Sequence, residues 1–224
     1  PIAFRAFTGH APVIRRDVAA NGWSRVIAGS TGGKNYIIWD GFTTGVANEM
    51  RFGGCTAGCI LENMVIDPGA FAWNSGSTGN YQGVFLTDNA GVIVRNNTIK
   101  NAYYSDHQSD ENGSCLKLYH NTSTLIQNND ISACTIGIYS KADSVDDIYE
   151  LNYMFGMIST IGKVILFHNF GPRNVTGNMI RQNIIFSSAQ GISVEVRNET
   201  QNNHVYNNTF YDVDRGFTAF YTGL

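Results

Sequence analysis

Short alternating apolar runs recur along the chain, and each is followed, about fourteen positions later, by an asparagine that precedes an apolar residue. Gly83-Val84-Phe85-Leu86 leads to Asn96-Asn97-Thr98-Ile99, and Cys115-Leu116-Lys117-Leu118 leads to Asn128-Asn129-Asp130-Ile131. Gly137-Ile138-Tyr139-Ser140, Val164-Ile165-Leu166-Phe167 and Gly191-Ile192-Ser193-Val194 open the same phrase further on. Between the two anchors lies a third apolar stretch, such as Val92-Ile93-Val94 or Leu125-Ile126. Three short strands per repeat with no helical period predict a solenoid of parallel strands.

The polar position before the apolar residue reads Asp40, Asn63, Asn97, Asn129, Asn152, Asn178 and Asn208. These lie from about 23 to about 34 residues apart, as a fixed coil with variable loops requires. A buried asparagine at a sharp corner both donates and accepts, so amides stacked every ~4.8 Å can satisfy turn backbone that is otherwise buried and unpaired. The expectation is an all-β, single-stranded parallel β-helix of about seven to eight coils with an asparagine ladder between the second and third strands.

The phrase Gly-Ile-x-Leu…Asn-Asn-x-Ile, together with Pro1-Ile2-Ala3-Phe4-Arg5-Ala6 through Pro12-Val13-Ile14, resembles the right-handed parallel β-helix family of the pectate-lyase-like superfamily, over essentially the whole chain. The resemblance implies that the outer face of the first strand is the floor of a carbohydrate groove. It also implies that a lyase of this kind uses Lys or Arg as base beside acidic calcium ligands. Superfamilies of this shape also hold tailspikes and non-catalytic surface proteins, so the fold alone does not fix an activity.

Strand alternation predicts two outward columns on that face. One reads Arg51, Phe85, Lys117, Tyr139, Ile165 and Ser193; the other reads Gly53, Thr87, Tyr119, Lys141, Phe167 and Glu195. Aromatic rings stack on sugar faces and cations pair with uronate carboxylates or sulfates, so Arg51, Phe85, Tyr119, Tyr139 and Phe167 are the expected substrate-binding residues. Lys117 and Lys141, on neighbouring coils, are the expected catalytic pair for β-elimination, one as base and one as charge clamp. The loop 101–113 carries Asp106, Asp110 and Glu111, an expected calcium site, since the hard ion takes several oxygen ligands. A cluster of carboxylates on the strand face itself is missing from the pattern, and Asp143, Asp146 and Asp147 fall in a turn.

Composition narrows the partners. Among 224 residues the formal charge is −3, with 15 Lys+Arg against 18 Asp+Glu, which marks neither a nucleic-acid binder nor a membrane-surface protein. No apolar run reaches the ~18–20 residues of a bilayer span. Cys55, Cys59, Cys115 and Cys134 read first as small wall residues, with Cys55–Cys59 and Cys115–Cys134 disulfides as the alternative, so they leave the compartment open. The first and last residues read as strand without a closing element, predicting one domain over 1–224 excised from a longer, extracellular or cell-surface protein. Its expected partner is an acidic polysaccharide, cleaved or merely bound. The rival expectation is a structural or adhesive fibre, surface or tailspike segment, self-associating through its coil ends.

Overall fold

A computed structural model of the chain describes residues 2–14, 24–28, 35–45, 48–71, 81–105, 113–158, 162–168, 175–195 and 202–220. Every regular element among them is a β-strand, and every strand pair is parallel. The strands wind into a three-sided solenoid. The first face stacks Asn48–Gly53, Tyr81–Ala90, Gly113–Thr122, Ile136–Lys141 and Lys163–His168, then the second half of Ile184–Glu195. The second face is an eight-stranded sheet running from Ile2–Arg5 through Ile93–Arg95 and Ile148–Glu150 to His204–Tyr206. The third stacks Val65–Ile66, Thr98–Lys100, Asp130–Ser132 and Tyr153–Phe155, then the first half of Ile184–Glu195, which bends from this face onto the first.

The corners explain the sequence phrase. At the corner between the second and third faces, one residue adopts left-handed backbone and the next turns its side chain inward. Asn96 (φ 57°), Asn128 (φ 52°), Leu151 (φ 56°), Gln182 (φ 56°) and Asn207 (φ 54°) hold the first role. Asparagine is among the residues that tolerate this region, which accounts for the first letter of each Asn-Asn pair. The second role falls to Asn97, Asn129, Asn152, Asn183 and Asn208. Each of the first four donates its amide to the next member's Oδ1 at 2.9–3.0 Å. Their second amide bonds run inward to the backbone oxygens of Leu61, Val94, Ile126, Tyr149 and Ile180.

Three ladder positions require correction. Asn63 supplies the left-handed residue (φ 54°) and is exposed, while Met64 takes the inward place and its N–H donates to Asn97 Oδ1 at 2.9 Å. Asp40 precedes its corner, where Gly41 turns the chain, and instead accepts the Asn63 amide at 2.7 Å. Asn178 belongs to a second column at the other corner, between the first and second faces. There the backbone N–H of Thr124 donates to Asp147, that of Asp147 to Asn178, and that of Asn178 to Asn203, at 2.7–3.0 Å. Asn183 fills the vacated place. Both corners follow a turning residue with an inward polar group and an apolar strand, so the same letters fit either.

The enclosed core is apolar: Val84, Leu86, Val94, Ile99, Leu116, Leu118, Ile126, Ile131 and Ile138 are completely buried in it. A solenoid has no compact centre, so its stability comes from each turn burying the next. Cys55–Cys59 and Cys115–Cys134 are disulfides, in place of the four free wall residues favoured by the sequence. The first closes a corner within one turn. The second joins the strand Gly113–Thr122 to the segment just before Ile136–Lys141, its neighbour on the first face.

Candidate functional site

The strand register fixes the outer side of the first face. Arg51, Phe85, Lys117 and Tyr139 are lateral neighbours in one column, as expected, and the column continues through Leu166 and Ser193. Ile165 and Phe167 are therefore misassigned. Both are fully buried in the core, where the Phe167 ring lies 5.5 Å from that of Tyr149, so Phe167 cannot contact a groove ligand. A one-residue slip moves a whole strand to the opposite face. The second column reads Gly53, Thr87, Tyr119, Lys141 and, in place of Phe167, His168.

Four of these side chains converge. The ammonium groups of Lys117 and Lys141 lie 5.0 and 5.3 Å from the ring centroid of Tyr139. The Tyr139 hydroxyl is 2.9 Å from His168 Nδ1, and the two rings stack 6.1 Å apart at 12°. Lys117 and Tyr139 are register partners, and so are Lys141 and His168, so two adjacent lateral pairs build the cluster. The ring's negative face draws both cations, which desolvation strengthens. Lys141, His168 and Tyr119 are half-buried, but Lys117 and Tyr139 are only 2% exposed, so this part of the face is not an open floor. Ile136, Tyr139 and Leu166 form their own buried apolar cluster on this outer side.

Phe85 and Arg51 sit towards the N-terminal end of the same column, with the guanidinium 4.7 Å from the ring centroid. Both are half-buried. Tyr119 continues into His120, whose ring is 4.1 Å away and whose Nδ1 lies 3.1 Å from Asp88 Oδ1. Asp106, Asp110 and Glu111 lie outside the described residues. Among the described residues, no group of three or more His, Cys, Asp or Glu could hold a metal ion.

His168 was missed because its relation to Tyr139 spans 29 residues and depends on register. The signal that places it is the count from the first residue of each phrase. Counting from Val164 as from Gly137 puts Leu166 opposite Tyr139 and His168 opposite Lys141.

A titratable group strongly altered by its surroundings lies elsewhere. Asp147 stands in the second polar column. Burial pushes its carboxyl up to about 7, against the opposing effect of hydrogen bonds from Thr124 and Tyr149. Tyr149 is raised as well, mainly by burial and then by the Asp147 charge. Asp147 is completely enclosed, so it belongs to the scaffold and not to a site.

No curated protein matches the chain in sequence. Among solved structures it is similar to PfbA, a surface adhesin of Streptococcus pneumoniae, at 14% identity and a TM-score of 0.45, covering 88% of this chain and 59% of that one. It is also similar to an alginate lyase from Paenibacillus sp. str. FPU-7, at 15% identity and a TM-score of 0.39, covering 99% of this chain and 85% of that one. The chain thus spans 59% of the adhesin's length. Residues 46–161, over half of the sequence, match the family described as periplasmic copper-binding protein (NosD), and the chain belongs to that family of right-handed parallel β-helices.

Proposed function

We propose that the protein is an extracytoplasmic β-helix that binds an acidic polysaccharide along its first face and cleaves it by β-elimination. The observation that carries this reading is the cluster of Lys117, Lys141, Tyr139 and His168, two cations and a hydroxyl–imidazole pair on adjacent strands. In the elimination a base takes the proton from the carbon next to the uronate carboxyl. The double bond forms as the C–O bond to the leaving sugar breaks, and the leaving oxygen receives a proton. Lys117 and Lys141 serve as base and as the clamp that neutralises the carboxylate. The Tyr139–His168 hydrogen bond offers a second donor for the leaving oxygen. A ligand would reach the cluster from the side of Lys141 and His168. Calcium held by Asp106, Asp110 and Glu111 would share the neutralising role.

Export agrees with the family's periplasmic description and with the two disulfides, which persist in oxidising compartments. Copper does not fit the residues described. All four cysteines are spent in disulfides, Met50, Met64, Met154 and Met157 are buried in the core with only Met179 half-buried, and no group of three His, Cys, Asp or Glu that could hold a metal occurs among the described residues.

The near-exclusion of Lys117 and Tyr139 favours a second reading, in which the face binds glycan without cleaving it, as part of an adhesive or structural segment. Self-association through coil ends would belong to this second reading.

The test is incubation with pectate, alginate and chondroitin, with and without calcium, following ultraviolet absorbance of the unsaturated product. Product from any of the three supports elimination. Binding without product leaves the adhesive reading, and neither binding nor product rejects both.

A further inference from the structure

Phe220, at the end of the strand Thr209–Phe220, is register partner of Glu195, yet its ring reaches back over the first face. It packs against the buried group Ile136, Tyr139 and Leu166 and meets the His168 ring edge-on at 6.4 Å. Over the same ring, 5.3 Å from its centroid, stands the ammonium of Lys163, at the start of the strand Lys163–His168. Tyr139, His168 and Phe220 therefore form one aromatic strip, with centroid spacings of 6.1 and 6.4 Å. Lys117 and Lys141 flank its Tyr139 end and Lys163 flanks its Phe220 end.

Covering Leu166 requires only an apolar ring. The placement of Lys163 on that ring repeats the pairing of Arg51 with Phe85 and of Lys117 with Tyr139, so cation and aromatic surface recur together on the same outer face. A single acidic sugar needs one such pair. A strip with cations at both ends complements a ligand carrying two negative groups joined by apolar ring faces.

We infer that Lys163 and Phe220 form a further binding subsite, which takes a second acidic sugar unit of the same chain that engages Lys117 and Lys141. This rests on the acidic-polysaccharide reading and adds a minimum ligand of two charged units. Lys163 holds the carboxylate or sulfate of the second unit, and Phe220 carries its apolar face. Tethering the first unit raises the effective concentration of the second at its subsite, so affinity climbs with ligand length until both are filled.

The test is a titration of the whole protein with galacturonate and mannuronate, as monomers and as the corresponding dimers and tetramers, followed by calorimetry. Wild type should bind dimers at least about tenfold more tightly than monomers. Lys163→Gln and Phe220→Leu, which keeps the apolar cover on Tyr139 and loses the flat ring, should each remove most of that gain and leave monomer affinity unchanged. Circular dichroism and the unfolding midpoint show that each variant keeps its fold, and two variants of different chemistry guard against one that does not. Length-dependent wild-type binding that both variants retain overturns the subsite while sparing the polysaccharide reading. Wild type that binds no acidic sugar of any length overturns both.

Discussion

Asp147 Oδ1 accepts the backbone N–H of Thr124 at 2.7 Å across neighbouring turns, so a carboxyl does the work that an asparagine amide does elsewhere in the same column. Its other oxygen receives the Tyr149 hydroxyl at 3.4 Å. Asn178, one turn on, donates its amide to Ser144 O and to Asn203 Oδ1, and a carboxylate has no hydrogen to offer in the corresponding place. Asp147 is held protonated up to about pH 7 in the folded chain, against a value near 4 when unfolded. Between those values the folded state binds a proton that the unfolded state has released. Stability therefore falls as pH rises through that window and levels off above it. Asp147→Asn should remove this component and stabilise the protein above pH 7. Thermal midpoints of both proteins from pH 4 to 8 check it, and parallel curves would refute the assignment.

The first column makes a complementary prediction. Asn129→Ala removes the acceptor of the Asn97 N–H and amide, and the donor to Val94 O, all inside the solenoid. Leaving buried groups unsatisfied costs about 1–3 kcal/mol each, so a loss of at least about 3 kcal/mol is expected. Chemical denaturation measures it.

Leu151 holds left-handed backbone (φ 56°) at a corner where four of its counterparts, Asn63, Asn96, Asn128 and Asn207, are asparagine, and its side chain is exposed. The conformation costs a leucine about 1–2 kcal/mol. Leu151→Asn should raise stability by about 1 kcal/mol without affecting ligand binding. An unchanged denaturation midpoint would count against strain at this corner.

If the cluster on the first face performs elimination, Lys117→Ala and Lys141→Ala should each lower product formation by at least about 100-fold. Tyr139→Phe is the sharper probe. It keeps the ring that both ammonium groups face and removes only the hydroxyl bonded to His168. A large fall in turnover with binding retained points to proton transfer, and unchanged turnover removes the hydroxyl from the mechanism.

The coil was legible because its constraint is local. Asn96-Asn97, Asn128-Asn129 and Asn207-Asn208 each carry a left-handed residue and an inward amide side by side, and that pair is visible in the letters. What the letters do not separate are the two corners. Gly177-Asn178-Met179 and Gln182-Asn183-Ile184 satisfy the same rule five residues apart, and only the stacking partner distinguishes them: Asn203 for the first, Asn208 for the second. The outward column survived wherever a glycine or cysteine opened the phrase, and slipped at Val164, where a larger residue takes the same place. Burial of Tyr139 was not readable at all, because its cover over the outer face comes from the distant Phe220.

The Cys115–Cys134 bond has a mechanical consequence. Turns of a solenoid contact only their neighbours, so under load or heat they peel away one at a time from an end. The bond closes one turn on itself, and this covalent loop halts that peeling at Cys134 from one side and at Cys115 from the other. Tyr139 and Lys141 lie just past Cys134 and Lys117 just past Cys115, so the closed turn shields Lys117 from unravelling that arrives from the C-terminal side, while Tyr139, His168 and Phe220 lie outside its protection.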